Sequence, residues 1–360
     1  MTPGFVFKLR PTGPWRIGPD DGARDRADLV YRSDALYSAV TAVMRDLGLR
    51  DAWLDATARA DAAAVRFSSC FPWVGKTRLI APPRHVWPPV SSAKLRSKSA
   101  RFIPVTLVAD LLAGKAPEEH RWMVDTPGGC LLPVGSPAAP FRFDVRTSAA
   151  VDRLGGGALL HSTACLEFGP NSGLWGAVAF ADPETSGRWS GPVKTALRIL
   201  ADSGFGGGRS RGWGRSESPE FRDGFLPGLI LRKPPAAAPE PVAEGTEEAS
   251  LEPQTENVEA PEPPGEQVQW LLSLFAPAAA DAVDWGQGSY TLVTRSGRVE
   301  SPVRTGEAKK FLNMIEEGSV LVAPEPLLGA AVDVSPDGFP HPVYRFGCAF
   351  AIPVPRQVAV

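Results

Sequence analysis

The chain has 360 residues, 43% of them hydrophobic and 22% charged, which is enough for two packed domains. Its N-terminus, MTPGFVFKLRPTGPW, holds no apolar run of signal-peptide length, and no stretch approaches the roughly 20 apolar residues of a membrane span, so a cytoplasmic protein is expected. The net charge of −2 hides a segregation: residues 234–266 hold nine Glu and no Lys, Arg or Asp, and without them 38 basic residues face 31 acidic ones.

In chain order, FVFKLRP at 5–11 alternates Phe5, Phe7 and Leu9 on one face, the pattern of a half-buried strand. SDALYSAVTAVMRDLGL then reads as a helix, with Ser33 as N-cap, Asp34 in the first turn, Leu36, Val40, Val43, Met44 and Leu47 at helical spacing, and Gly48 as the stop. The segment of about 60–150 reads as a long insertion rich in Pro, Arg, Lys and Trp, with LVADLLAG as a short helix. From Ala62 to Ala109 it carries eight Lys or Arg, among them Lys94, Arg96, Lys98 and Arg101, and no acid, which is the footprint of a polyanion-binding surface.

ALLHSTACLEFGPNSGLWGAVAF predicts a hairpin about the turn at 169–172. GPVKTALRILADSG predicts a helix with Pro192 near its first turn and Gly204 at its C-terminal stop, and the segment after residue 215 is strand-like. The order β-α-insertion-β-β-α-β is that of a ferredoxin-like, or RRM-like, domain over residues 1–232. Residues 233–266 read as a disordered acidic linker of Pro, Glu and Ala. Residues 267–360 form a smaller α+β unit, with AKKFLNMIEEG helix-like, for which a second, degenerate ferredoxin-like domain is the expectation.

Cys70, Cys130, Cys165 and Cys348 are far apart and read as isolated buried thiols, and the four His are too scattered for a metal site. No cofactor and no catalytic residue is expected. The densest chemistry lies in GFGGGRSRGWGR at 204–215, six glycines, three arginines and one tryptophan in twelve positions. Its literal G-x-S-x-G around Ser210 suggests a serine hydrolase, but a nucleophile elbow leads from strand to helix, and here a helix enters and a strand leaves. A phosphate loop of a nucleotide enzyme also needs a following helix. The remaining reading is a clamp for a nucleic-acid strand: Gly206, Gly207, Gly208 and Gly212 allow close backbone approach, while Arg209, Arg211 and Arg215 meet phosphates and Ser210 donates a hydrogen bond. Trp213 either stacks on a base or begins the core of the next strand. Trp73 and Trp87 are candidate stacking platforms beside the basic segment.

The glycine loop closing a ferredoxin-like domain resembles the signature loop of the RAMP superfamily of CRISPR proteins. With YRSDALYSAV at 31–40, AKLRSKSARFIP at 93–104, SGLWGAVAF and IEEGSVLV, the chain resembles the subunit of type III-A (Csm) effector complexes that caps the 5′ end of the CRISPR RNA. That resemblance implies two ferredoxin-like domains, binding of the repeat-derived 5′ tag, docking against the large polymerase/nuclease subunit and the first backbone RAMP subunit, and no catalysis. The long acidic linker departs from it. The rival reading is an RNA-processing endonuclease of the same superfamily, for which His85 and His161 are the only general acid–base candidates near the proposed RNA surface.

Overall fold

The computed structural model describes residues 1–18, 23–89, 99–136, 139–231, 266–301 and 303–356. The first unit begins with β1 (Thr2–Leu9), whose Phe5, Phe7 and Leu9 are wholly buried on one face. Two helices follow, α1 (Ser33–Asp46) and α2 (Arg50–Thr57). Next come β2 (Val65–Phe67), β3 (Phe71–Val74), β4 (Thr77–Ile80) and β5 (Ile103–Pro104), then α3 (Val105–Leu112). The hairpin β6 (Trp122–Asp125) and β7 (Cys130–Pro133) precedes a long ribbon of β8 (Phe141–Val151) and β9 (Ala158–Phe168). The unit closes with β10 (Ser172–Phe180), α4 (Pro183–Ser203) and β11 (Glu220–Leu226).

The main sheet runs β11-β1-β10-β3-β4-β5, with β2 also paired to β10, and every pairing is antiparallel. Counting β2 and β3 as one broken strand, the elements β1, α1, β2/β3, β10, α4 and β11 give the expected β-α-β-β-α-β order. The residues that build it differ from expectation in one strand. The segment 158–180 is not a hairpin: β9 pairs along its whole length with β8, while β10 pairs with β1, β2 and β3. The second strand comes instead from residues 65–74, inside the segment read as insertion. The inserted material therefore separates the second and third strands rather than the first helix and a hairpin.

The physical reason is the break at Ser68–Ser69, which leaves each half too short to alternate visibly. Ser68 Oγ accepts the N–H of Ala177 at 2.8 Å, so a side chain maintains the ladder where the strand is interrupted. Helix α4 also starts earlier than its apolar spacing implies. Asp182 caps it, accepting the N–H of Thr185 at 2.7 Å, and Pro183 occupies the first turn, so Pro192 lies inside the helix. Ser33 is not the cap of α1. Arg32 takes that position, and Ser33 Oγ instead accepts the N–H of Leu274 at 3.0 Å.

The second unit consists, among the described residues, of strands alone: β12 (Gln267–Leu271), β13 (Asp284–Ser289), β14 (Leu292–Arg295), β15 (Arg298–Glu300), β16 (Thr305–Ala308), β17 (Leu312–Ile315), β18 (Val320–Ala323), β19 (Ala331–Asp333), β20 (Tyr344–Phe346) and β21 (Ala351–Val354). Four make the antiparallel sheet β13-β18-β12-β21, and the rest form three two-stranded ribbons. The helix expected in AKKFLNMIEEG is strand β17, paired with β14, and with it goes the helical part of a second β-α-β-β-α-β unit. Met314 and Ile315 are buried side by side, which the alternating faces of a strand allow. Of the expected acidic linker, residues 233–266, all but Glu266 lie outside the described residues. No helix is long and apolar enough to cross a membrane among those described.

The two units share one apolar core and a buried ionic seam. Tyr37 of α1 stacks on Phe346 of β20 with ring centroids 4.0 Å apart. Asp34 receives Nε and Nη2 of Arg295, each at 3.0 Å, and also the guanidinium of Arg345. Arg32 reaches Glu317 at 2.7 Å and Glu316 at 3.0 Å. Ser69 bonds to the second carboxylate oxygen of Glu317. Burial pushes the Asp34 carboxyl up, but Arg295 and Arg345 more than offset it and hold it at about 2. Removing either sign of charge here strands the other in the interior.

Candidate nucleic-acid interface

The glycine loop leaves α4 at Gly204 and is built against residues 14–16. Gly207 N–H donates to Arg16 O and Gly214 N–H to Pro14 O, both at 2.9 Å. Phe205 stacks on Trp15 at 5.2 Å, and Tyr31 meets the same ring edge-on at 5.8 Å. Gly206 has φ +68°, and a Cβ there would lie 2.5 Å from Arg16 O, so the contact requires glycine. The tip is a single 3₁₀ turn, Arg209–Arg211, bounded by Gly208 and Gly212, both left-handed at φ +76°. Arg209, Ser210 and Arg211 are exposed on it, and Arg215 is exposed just beyond.

Two contacts tie the tip to other elements. Arg209 Nη2 lies 3.5 Å from Glu300 Oε1 on β15, and Arg211 Nη2 lies 3.3 Å from Nε2 of His161 on β9. If Arg211 donates in that bond, His161 carries its proton on Nδ1. Arg16, unnoticed in the sequence, fills the space behind the loop. Its aliphatic chain packs against Gly207, and its guanidinium donates to Arg24 O and Ala23 O at 2.9 Å. Burial, with Arg24 next to it, lowers its pKa. The only signal was an arginine in the Pro/Gly-rich segment after β1, too weak to single out.

Among the described residues Ser210 forms no hydrogen bond with a histidine, and the His161 imidazole bonds instead to Arg211, so the elements of a serine triad are not assembled there. His85 is half-buried, and burial lowers its pKa.

Trp73 and Trp87 are corrected from stacking platforms to core residues, and for Trp213 the structure favours the core alternative. Trp73 is wholly buried and donates Nε1–H to Leu174 O at 3.1 Å. Trp87 is buried and donates to Ala100 O at 3.3 Å. Trp213 is buried, with its ring against Gly208. A base needs an open ring face, and a buried indole satisfies its N–H and packing inside instead. Lys94, Arg96 and Lys98 lie outside the described residues. Arg101 is exposed. Three other cations of the basic segment are partnered or partly buried. Arg84 pairs with Glu316 at 3.3 Å, Arg66 is half-buried on β2, and Arg78 donates to Leu229 O at 3.0 Å.

All four cysteines are buried and unbridged, as expected. Among the described residues no group of three or more His, Cys, Asp or Glu could hold a metal ion.

Residues 265–354 match the family model described as the CRISPR Csm4 C-terminal domain. Across the whole chain the fold is similar to a chain of the crystal structure of a Csm3–Csm4 subcomplex in the type III-A CRISPR-Cas interference complex. That match has a TM-score of 0.59 and 14% identity, covering 99% of this chain and 100% of the other. Chains from crystal structures of a Csm1–Csm4 cassette with pppApA and with cA4 match at TM-scores of 0.54 and 0.55, 16% identity and the same coverage. No curated protein matches the sequence. The chain thus has a mixed fold, dominated by strands with few helices, that is similar to these Csm4-containing structures. Its residues 265–354 are similar in sequence to the Csm4 C-terminal domain.

Proposed function

We propose that the chain is a non-catalytic subunit of a type III CRISPR effector complex that binds the 5′ tag of the CRISPR RNA and docks against the large polymerase/nuclease subunit and the first backbone subunit. The partners are suggested by the similar structures, which pair Csm4 with Csm1 and with Csm3. The observation that carries RNA binding is the exposed Arg209–Arg211 turn, held by left-handed glycines on the rigid base of Trp15, Tyr31 and Phe205. A fixed base and two exposed guanidiniums suit charge-assisted bonds to phosphates, which supply affinity and register.

The experiment is photo-crosslinking of a tag RNA carrying a reactive base within the assembled complex. Crosslinks to residues 206–215 are expected, and crosslinks confined to other subunits would reject the reading. The endonuclease reading has one observation in its favour, His161 within 3.3 Å of Arg211. It predicts cleavage of repeat RNA in EDTA that is lost in His161→Ala, whereas the clamp predicts intact RNA.

A further inference from the structure

The main sheet has a face turned away from α1 and α4, and its register identifies the residues on it. Phe5 and Phe7 face the helices, so Val6 and Lys8 face the other way. Directly opposite residues share a face, which adds Arg222 across from Val6 and Glu220 across from Lys8 on β11. Trp175 lies across from Lys8 on β10, Phe71 across from Trp175 on β3, and Trp73, two residues along, is across from Arg78 on β4.

Lys8, Arg10, Arg78 and Arg222 on this face, and Arg66 opposite Ala179, give it five cations against the one carboxylate of Glu220. The Lys8 ammonium lies 4.7 Å from the Trp73 ring centroid and the Arg10 guanidinium 4.9 Å from it. Arg78 lies 4.9 Å from the Trp175 ring. Glu220 is committed to Arg10 at 2.9 Å. No carboxylate among the described residues forms an ion pair with Lys8 or Arg222. Burial lowers the Lys8 pKa, Glu220 opposes this, and Arg78 and Arg10 add to the lowering. Crowded like charges over aromatic rings gain from an anion that neutralises several at once.

The face is continuous with the glycine loop. Thr12 N–H donates to Arg215 O at 3.0 Å, Pro11 bridges to Ser216, and Glu217 N–H donates to Arg10 O at 2.9 Å. The segment leaving the loop therefore runs alongside Arg10. From Arg10 to Lys8 the chain advances about 7 Å, so successive cations are spaced for successive phosphates of an extended strand.

We propose that this face is a second phosphate-binding surface, on which Lys8, Arg10 and Arg222 hold the backbone of the single-stranded RNA that passes the glycine loop at Arg215. The inference rests on the RNA-binding reading above and adds the direction in which the strand continues. The ligand is a run of phosphodiesters rather than one anion, because the cations are spread over β1 and β11. Base reading is left to other elements, since the rings beneath these cations are covered.

The test is fluorescence anisotropy of the full chain with a short single-stranded RNA at about 50 and 200 mM salt. Wild type is compared with Lys8→Gln/Arg222→Gln, with Lys8→Arg, and with Arg209→Gln/Arg211→Gln. The sheet double variant should weaken binding roughly tenfold at low salt and lower the salt slope by about 1.4, while Lys8→Arg retains wild-type binding. Unchanged affinity and slope in the sheet variant, with loss in the loop variant, would overturn this inference and leave the clamp standing. No binding by wild type, or binding indifferent to both double variants, would reject the RNA reading itself. ATP and polyglutamate serve as competitors. Displacement of the RNA by ATP at micromolar concentration would indicate a free-nucleotide site, and displacement by polyglutamate alone an acidic protein partner; either would overturn the assignment. If Lys8→Gln lost its circular dichroism signal, Arg222→Gln alone carries the test, with about half the change in slope.

Discussion

The carboxylate of Asp34, in the first turn of α1, is gripped by Nε and Nη2 of Arg295 at 3.0 Å each, across the seam between the two units. It is a structural charge. Its neighbours in the sequence complete the arrangement, because Tyr31 supports the base of the glycine loop while Arg32 reaches Glu317. The stretch YRSD thus connects the loop to the second unit.

Asp34→Asn leaves two buried guanidiniums without their shared anion, and the cost is about 3–5 kcal/mol. A large drop in the unfolding midpoint, read by calorimetry, is the expected result. Because the folded pKa of about 2 lies below the ordinary 3.8, the stabilisation is present above pH 4 and is lost as pH falls through 2. In Asp34→Asn this component of the acid limb should vanish.

Gly206 and Gly212 separate close approach from backbone strain alone. Both have positive φ, but a Cβ at Gly206 meets Arg16 O at 2.5 Å, while one at Gly212 has nothing within 4 Å. Gly212→Ala should cost about 1 kcal/mol, the strain of a left-handed alanine, and Gly206→Ala clearly more. Chemical denaturation of the two variants measures the difference.

Glu300 is mostly exposed and sits 3.5 Å from Arg209, so the pair is worth under about 1 kcal/mol to stability. Glu300→Gln should leave the unfolding midpoint unchanged. It should also tighten binding of single-stranded RNA at low salt, because Arg209 then meets phosphate without a competing carboxylate. Equal anisotropy curves for variant and wild type would remove Glu300 from the account.

Much of the first unit could be read from the sequence because its signals are local. The alternation of Phe5, Phe7 and Leu9, the spacing of Leu36 to Met44, and Gly204 at the end of α4 each act within a few residues. The second strand could not be read, because VRFSSCFPWV is split by a serine pair and contains a proline, and only its partner β10 makes it a strand. In FLNMI the contact with β14 overrode a helix-like spacing. The seam was invisible for a different reason. Asp34 meets Arg295 and Arg345 across 261 and 311 residues, and no local pattern encodes such a pair. In the candidate site, the loop and its arginines were legible from composition. The burial of Trp73, Trp87 and Trp213 was not, since one indole reads the same whether it stacks on a base or packs in a core.

The central claim is that the Arg209–Arg211 turn holds the RNA backbone. The most direct measurement is the affinity of a short 5′-tag RNA for the assembled complex over a salt series, with wild type against Arg209→Ala/Arg211→Ala. Two lost phosphate contacts to a single strand should weaken binding and flatten the slope of log affinity against log salt by about 1.4. An unchanged affinity with an unchanged slope would contradict the account.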